Sequence, residues 1–409
     1  MLLWDKIKNF AIYIMYIIII IYGADMKKQL LIMLLNTIIL FGCVGIFVNM
    51  TPLFVNQISF VTKGLITLSS PDKLNDNIKS KFSSYISDKD EDNTNTPTQE
   101  SKETMNAISS KDSNDNSDIT ETPADIAKLM ESAKKTTKKS KSLGKTSEEP
   151  YQGGGTIISY NDIEIQSKIP SSHYKPDIKD LLKQDADLKI KDKSKPTILI
   201  YHSHTTEAYS LLDVGYYMKS DSRSNNKAKN MVRVGDELVK YLEKAGFNVI
   251  HDTEIHDVDY NASYDSSRAV VEKYLEKYPS IEITIDVHRD DITYSNKTKV
   301  KPTATINGKK AARMMIIAGC EYGRVENFPD WEYNLRFDLA VQNKVNQLYS
   351  GLMRPILFSE RKYNMYETHN SFLLEVGTDA NTLDEACYSA RLFGKALGDL
   401  LNERYVVKK

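Results

Sequence analysis

Hydrophobic and polar residues are arranged in three different ways along the chain, and each arrangement predicts a different kind of segment. Two apolar runs, residues 10–22 and 30–50, stand near the N-terminus. A polar stretch without a sustained apolar period follows at residues 72–155. After Pro196, short β-branched runs alternate with apolar residues at three-to-four spacing. This last arrangement is typical of an α/β domain with a mostly parallel sheet flanked by helices.

The second apolar run is about the length that a helix needs to cross the hydrocarbon core of a membrane, whereas the first is several residues short. Lys27 and Lys28 stand just before the second run and favour a cytoplasmic N-terminus. Residues 1–29 are therefore predicted to be cytoplasmic and residues 30–50 to be a single transmembrane anchor. The rest of the chain is then extracytoplasmic and tethered to the cell membrane.

Two alternatives to this topology are open. A cleaved secretory signal is one, although small residues suitable for cleavage are scarce at the end of the second run. If both apolar runs crossed the membrane, the C-terminal domain would instead return to the cytoplasm. Met26, followed by two lysines and an apolar run, also resembles a translation start, so the first 25 residues are a possible extension upstream of the true start codon.

Residues 51–155 are predicted to form an extracytoplasmic segment that is mostly a disordered linker from residue 72 onward. The linker is rich in Ser, Thr, Asn, Asp, Glu and Lys and is nearly free of aromatic residues, so it buries too little surface to offset its ordering entropy. We interpret a basic cluster within it as a solvated charge run, with contact to anionic polymers as the alternative: Lys134, Lys135, Lys138, Lys139 and Lys141. The folded domain is then predicted to span residues 156–409.

The folded domain is predicted to contain seven strands and four amphipathic helices. The strands are expected at 197–202, 247–251, 281–287, 303–306, 313–318, 355–358 and 371–376, and the helical stripes at 231–245, 271–278, 337–352 and 382–400. Asn307 and Gly308 are expected to join strands 303–306 and 313–318 into an antiparallel hairpin at the edge of the sheet. Thr382 and Glu385 match a capping box at the start of the last helix.

Composition narrows the possible functions without identifying one. The chain has 409 residues, with 54 Lys and Arg against 55 Asp and Glu and a net charge of -1, so no strong field favours nucleic acid as a partner. Only Cys320 and Cys387 of the three cysteines belong to the predicted domain, so no disulfide framework is implied. A disulfide bridge between these two cysteines and two free thiols are both consistent with the sequence.

Titratable residues follow three predicted strands, at the ends where open α/β sheets place their sites. A zinc hydrolase needs about three protein ligands of the His, Asp or Glu type and leaves one position for water. His204, Glu207 and His288 supply such a set. Glu375 interrupts an apolar strand, and because apolar surroundings raise the pKa of a carboxyl group, it is the candidate catalytic general base and acid.

Each of these residues also has a structural interpretation. A single histidine at a strand end is more often a hydrogen-bonded support, and a lone glutamate can simply pair with an arginine such as Arg289. The convergence of two histidines and two carboxylates on three strand ends favours metal catalysis. For His202, a ligand role and a supporting role are both open. His251, His256 and His369 are expected to be structural or surface residues.

Three segments of the domain together resemble the stage II sporulation protein P family: ILIYHSHTTEAY at 198–209, DVHRD at 286–290 and LLEVG at 373–377. The resemblance runs from about residue 197 to residue 401. It implies a fold similar to that of the zinc-dependent N-acetylmuramoyl-L-alanine amidases, in which two histidines and one glutamate hold Zn²⁺ and a late glutamate is catalytic. His204, Glu207 and His288 match those ligands, and Glu375 matches the catalytic glutamate. Glu207 departs from the pattern, because the glutamate ligand of the general amidases stands much further from the first histidine.

The resemblance also implies a biological setting. It implies amidase and endopeptidase activity on peptidoglycan during septal wall degradation and forespore engulfment, together with stage II sporulation proteins D and M. Two other functions fit the residues. One is a wall-binding module of a sporulation membrane complex that has lost catalysis, and the other is a zinc peptidase with an unrelated substrate.

Overall fold

The computed structural model describes residues 115–137, 142–150, 153–219 and 222–408. The chain divides into two units, Met1–Ala107 and Ile108–Lys409, and only the second contains described residues. The predicted cytoplasmic segment and transmembrane anchor therefore lie outside the described residues. Within the described ranges, none of the helices combines the length and the apolar character of a membrane span.

The strands and helices of the described ranges are numbered in chain order. The strands are β1 (Gly144–Glu148), β2 (Thr156–Tyr160), β3 (Ile163–Ser167), β4 (Pro196–Tyr201), β5 (Tyr216–Tyr217), β6 (Asn248–His251), β7 (Ile283–Asp290), β8 (Lys299–Lys301), β9 (Thr303–Ile306), β10 (Lys309–Ala312), β11 (Met314–Gly319), β12 (Ile356–Ser359) and β13 (Asn370–Thr378). The α-helices are α1 (Asp115–Thr120), α2 (Ala124–Thr137), α3 (Ile178–Leu181), α4 (Met231–Lys244), α5 (Ser263–Lys277), α6 (Trp331–Leu348) and α7 (Leu383–Leu400). A short 3-10 helix precedes α5 at Tyr260–Ala262, and a π-helical turn follows α7 at Leu401–Tyr405.

An eight-stranded sheet in the order β2-β3-β12-β11-β13-β7-β4-β6 forms the centre of the domain. Five of its seven neighbouring strand pairs are parallel, and β2–β3 and β11–β13 are the antiparallel pairs. Successive residues of β4 point to opposite faces, so Ile198 and Ile200 join the core that contains α4, α6 and α7, while Leu199 and Tyr201 pack with α5. The predicted α/β class with a large, mostly parallel sheet flanked by helices is confirmed.

Local sequence signals also placed several element ends correctly. Helix α4 ends at Lys244, and Gly246 follows it with a φ of 89°, a conformation that glycine adopts without steric cost. Helix α7 begins with the predicted capping box, in which Thr382 accepts from the Glu385 amide and the Glu385 side chain accepts from the Thr382 amide. These signals are reliable because they depend only on nearby backbone groups.

The predicted edge hairpin is wrong in its second strand. Asn307 and Gly308 do form a tight turn, with φ of 48° and 77°, but it joins β9 to β10 in a separate two-stranded sheet. The segment predicted as the second hairpin strand is β11, which is buried along its whole length and lies between β12 and β13 in the central sheet. Strand β10 was not predicted because it begins with two polar residues, Lys309 and Lys310, and therefore lacks an apolar run.

The disordered-linker prediction does not hold for residues 115–137, which form α1 and α2. Ile119 and Ile126 are buried in the main core. Arg391 of α7, itself buried, donates to the backbone oxygens of Ile119 and Glu121 at 2.8 and 3.0 Å. Composition did not reveal these helices, because the surface that covers their few apolar residues comes from α7, more than 260 residues later in the chain.

Strand β1, also within the predicted linker, pairs with β5 on one side and with β8 on the other. Gly144 lies opposite Tyr217 in the antiparallel pair, and Thr146 lies opposite Lys299 in the parallel pair. Strand β5 belongs to the segment that follows β4, and β8 belongs to the segment that follows β7. Strand β1 therefore ties together the two chain segments that leave the central strands β4 and β7.

A buried acid on α6 gives a test of the packing. Asp338 is fully buried, and neither of its carboxylate oxygens has a hydrogen-bond partner within the described part of the chain. Burial raises the pKa of Asp338 well above its ordinary value, so the stability of the folded state falls as pH rises from about 4 through the folded-state pKa. We expect Asp338→Asn to stabilise the chain by about 1–3 kcal/mol at pH 8 and to change little at pH 4, where the acid is protonated.

Thermal unfolding at both pH values checks this expectation. Asp265→Asn is the control, because the Asp265 side chain is 72% exposed to solvent. An equal gain in melting temperature at pH 4 and pH 8 for Asp338→Asn would contradict it.

Candidate metal centre

Three adjacent strands bring the predicted site residues to one region of the sheet. Strands β4, β7 and β13 are neighbours and run parallel, so the segments at their carboxyl ends meet at the same edge. His204 and Glu207 lie on the loop after β4, and His288 lies near the end of β7. Glu375 on β13 is paired in register with His288, which places both side chains on the same face of the sheet.

The three predicted ligands lie close enough together to hold one metal ion. One donor atom from each of His204, Glu207 and His288 lies within 4.8 Å of the others, and all three side chains are buried. His204 Nδ1 is 3.3 Å from Glu207 Oε1, and His288 Nδ1 is 3.6 Å from Glu207 Oε2. Zinc bonds of about 2.0–2.1 Å in a tetrahedron hold ligand atoms roughly 3.3–3.4 Å apart. Two imidazoles and one carboxylate are donor types that Zn²⁺ takes, and both distances are near the tetrahedral value.

Glu207 is held as a carboxylate. Burial alone would raise its pKa, but the Arg289 guanidinium and hydrogen bonds from His204 and His288 outweigh burial and lower the pKa. The Arg289 amide also donates to Glu207 Oε2 at 3.2 Å. The Arg289 guanidinium donates to the backbone oxygens of Ala208 and Ser222, so this arginine supports the loop that carries Glu207 and does not pair with Glu375.

Asp286 is a functional candidate that the sequence did not single out. Its Oδ1 lies 2.8 Å from His288 Nε2, and the carboxylate accepts from the amide and hydroxyl of Ser203 at 2.8 and 2.6 Å. Burial opposes ionisation of Asp286, yet His288 and Ser203 together lower its pKa. A carboxylate at this position favours the imidazole proton on Nε2, which would leave Nδ1 to bind a metal ion. The available sequence signal was its place two residues before His288, on the same strand face.

Glu375 is placed to hold a proton near neutral pH. The residue is partly exposed, while its Oε2 atom is enclosed and has no hydrogen-bond partner in the described ranges. Burial, followed by the nearby carboxylate of Asp290, raises the pKa of Glu375 to about 8. Asp290 is itself paired with Arg354 at 2.9 Å. The site thus combines an ionised carboxylate, Glu207, with a carboxyl group that readily takes up a proton.

His202 does not join the three predicted ligands. Its Nδ1 is 2.9 Å from the Val287 carbonyl oxygen, and its Nε2 is 3.0 Å from Nε2 of His251. Burial, followed by the neighbouring His251, lowers the pKa of His202 to about 3, so the ring is neutral. His202 therefore acts as a support that connects β4 to β6 and β7.

The remaining histidines and cysteines are also outside the group of predicted ligands. His256 lies 2.6 Å from Asp252, and the exposed His369 lies 2.8 Å from Asp187. Cys320 and Cys387 are both buried free thiols, so they do not form a bridge.

Two tyrosine rings pack against the predicted ligands and a third stacks on one of them, and no sequence pattern marked these three residues. The Tyr260 ring stacks on His204 at 4.4 Å between centroids, and the Tyr264 ring lies 5.3 Å from His204 and 6.2 Å from His288. Tyr363 stacks on Tyr264 at 4.7 Å. Tyrosines are common in this chain, and only the tertiary structure separates these three from the others.

Comparison with known proteins places this site in a family. A sequence profile of stage II sporulation protein P matches residues 58–398. Stage II sporulation protein P of Bacillus subtilis (strain 168) is 31% identical over 224 residues, which are 52% of this chain and 51% of the relative. The chain thus matches about half the length of that curated relative.

Two solved structures, both N-acetylmuramoyl-L-alanine amidases, are also similar. The amidase of Nostoc punctiforme is 12% identical with a TM-score of 0.31, and the match covers 52% of this chain and 97% of that one. The amidase of Clostridium difficile 630 is 13% identical with a TM-score of 0.29, and the match covers 51% and 98%. Similarity at this level carries no argument about the site. The profile match, in contrast, extends over well more than half of the chain and includes every residue of the predicted site, so the chain belongs to the stage II sporulation protein P family.

Proposed function

We propose that this chain is a zinc-dependent peptidoglycan hydrolase of sporulation that cleaves the amide bond between the muramyl lactyl group and L-alanine. Cleavage of peptide bonds within the stem or cross-link is a further activity of the same site. One observation carries the proposal: His204, Glu207 and His288 are buried with donor atoms within 4.8 Å of one another, and a protonatable Glu375 lies on the strand next to that of His288.

The chemistry divides between the metal and the side chains. Zinc, when bound, lowers the pKa of its water toward neutrality and polarises the scissile carbonyl group. His204, Glu207 and His288 would hold it, with Asp286 fixing the orientation of His288.

Glu375 accepts the proton of the attacking water and delivers it to the leaving amine. Its raised pKa of about 8 suits this role, because a bound cation would lower that value toward the working range.

The setting of this activity is part of the proposal. The apolar run at residues 30–50 and the two lysines before it support a single-pass anchor in the cell membrane with the hydrolase domain outside the cytoplasm. Membership of the stage II sporulation protein P family supports action at the septum between forespore and mother cell. We propose stage II sporulation proteins D and M as its partners there.

Digestion of purified sacculi by the purified chain tests the proposal. We expect about one zinc per chain by inductively coupled plasma mass spectrometry, and zinc-dependent release of stem peptides that begin with L-alanine. Removal of the metal with a chelator should stop the release, and added Zn²⁺ should restore it. Binding to sacculi without any product in the presence of zinc would instead support a wall-binding module.

Asp286 provides a sharper test of the zinc site. Asp286→Asn is expected to weaken zinc binding by about 10- to 100-fold, because the amide no longer favours the His288 tautomer whose Nδ1 faces Glu207. Competition with a fluorescent zinc chelator measures the affinity. Asp252→Asn is the control, since Asp252 pairs with His256 and not with a predicted ligand. Unchanged affinity in Asp286→Asn would show that this carboxylate does not orient the site.

A further inference from the structure

The backbone of Tyr363 is strained. Six residues other than glycine have left-handed φ values in the described ranges, and Tyr363, at 43°, is the one aromatic residue among them. A bulky side chain in this region is sterically costly, whereas asparagine, glycine and aspartate tolerate it. Such strain persists where the surrounding structure enforces it, and it is concentrated at functional sites.

The Tyr363 ring lies over the part of the sheet that carries the proposed catalytic residues. Tyr363 belongs to the loop between β12 and β13 and packs on Met315, Ile317 and Leu373. Met315 is paired in register with Glu375, and Leu373 lies two residues before Glu375 on the same strand face. The ring also stacks on Tyr264, with centroids 4.7 Å apart and an interplanar angle of 21°.

Contacts through Tyr264 connect Tyr363 to the predicted ligands. The Tyr264 ring is 5.3 Å from His204 and nearly parallel to His288. The Tyr363 hydroxyl has no hydrogen-bond partner among the described residues, although the residue is only partly exposed. Burial raises the pKa of Tyr363 and the nearby Glu375 carboxylate raises it further, so the hydroxyl keeps its proton and remains a donor.

We propose that Tyr363 is a catalytic residue whose hydroxyl donates a hydrogen bond to the scissile carbonyl oxygen as that oxygen gains negative charge. This role rests on the proposed function. Water adds to the carbonyl carbon, and the electron pair of the C=O double bond moves to the oxygen that Tyr363 faces. The C–N bond then breaks as the nitrogen takes the proton that Glu375 received from the water. Tyr363 keeps its own proton throughout, and the strained backbone holds its ring against the sheet face that carries Glu375.

Tyr363→Phe in the full chain tests the role of the hydroxyl, because it keeps the ring and its packing. We expect kcat for stem-peptide release to fall about 10²-fold, with KM and zinc content unchanged. Tyr333→Phe is the matched control: the Tyr333 ring stacks on His369, away from the predicted ligands, and its loss of a hydroxyl should leave kcat unchanged.

A second variant separates catalysis from structural support. Incorporation of 3,5-difluorotyrosine at position 363 lowers the pKa of the phenol without removing the ring. In a plot of kcat against pH, the fall in kcat at alkaline pH should then begin at a lower pH. The fluorinated phenol loses its proton there, and a phenolate cannot donate a hydrogen bond. A purely structural tyrosine would not move this fall in kcat.

The outcomes distinguish this role from the proposed function. An active wild-type chain together with a fully active Tyr363→Phe variant overturns the role of Tyr363 alone, as does an alkaline fall in kcat that stays at the same pH. A loss of kcat that follows a loss of zinc also overturns it. A wild-type chain that releases no product overturns the proposed function itself, and the role of Tyr363 falls with it.

Discussion

Glu375→Gln is expected to lower the rate of amide hydrolysis by about 10²- to 10⁴-fold while zinc stays bound. Glutamine has nearly the same shape as glutamate but does not accept the proton of the attacking water. Its amide cannot return a proton to the leaving amine either. Glu375 lies on the strand beside His288 and is not one of the three predicted ligands, so the metal content should not change. Product release from sacculi and zinc per chain, measured on the same preparation, check both parts.

Glu282→Gln is the matched control for this experiment. Burial raises the pKa of Glu282 as it does that of Glu375, but Glu282 stands just before β7, at the opposite end of that strand from His288. Its replacement should leave hydrolysis unchanged. Full activity of Glu375→Gln would remove Glu375 from the mechanism, and parallel loss of zinc would point to a structural effect instead.

His288→Ala is expected to lose bound zinc and to reduce product release to the level of a chelator-treated sample. The substitution leaves two of the three predicted donors, which is too few to hold a catalytic zinc tightly. It also leaves the buried Asp286 without its imidazole partner, so unfolding is a competing cause of any loss. His288→Gln is the second variant, because its amide can still face Asp286.

Melting temperature and zinc content together separate these effects. His369→Ala is the control, since its side chain is 41% exposed and lies outside the group of predicted ligands. A folded His288→Gln variant that still carries one zinc per chain would exclude His288 as a ligand. Restoration of activity in that variant by excess Zn²⁺ would show weakened binding rather than a lost catalytic group.

The pattern of apolar residues by itself determined the α/β class and most of the central elements. A buried strand such as β4 carries a nearly continuous apolar run, and helices such as α4 carry apolar residues at three-to-four spacing. Helix caps and turns could also be predicted from the sequence, because the Thr382 capping box and the Asn307 turn depend on local backbone geometry. The candidate site residues were chosen from the sequence because polar groups at the ends of buried strands interrupt an otherwise apolar pattern.

Only the tertiary structure decided which strands are neighbours and therefore which side chains meet. Strand order brings β7 and β13 together, although their sequences are about 80 residues apart, and so places His288 beside Glu375. It also moves β11 from the expected edge to the middle of the sheet. The support of His288 by Asp286, the strained Tyr363 and the packing of α1 against α7 all depend on such long-range contacts. Local sequence patterns reflect the conformational preferences of residues that are neighbours in the chain. These contacts instead join residues that are far apart in the chain and meet only in the completed fold.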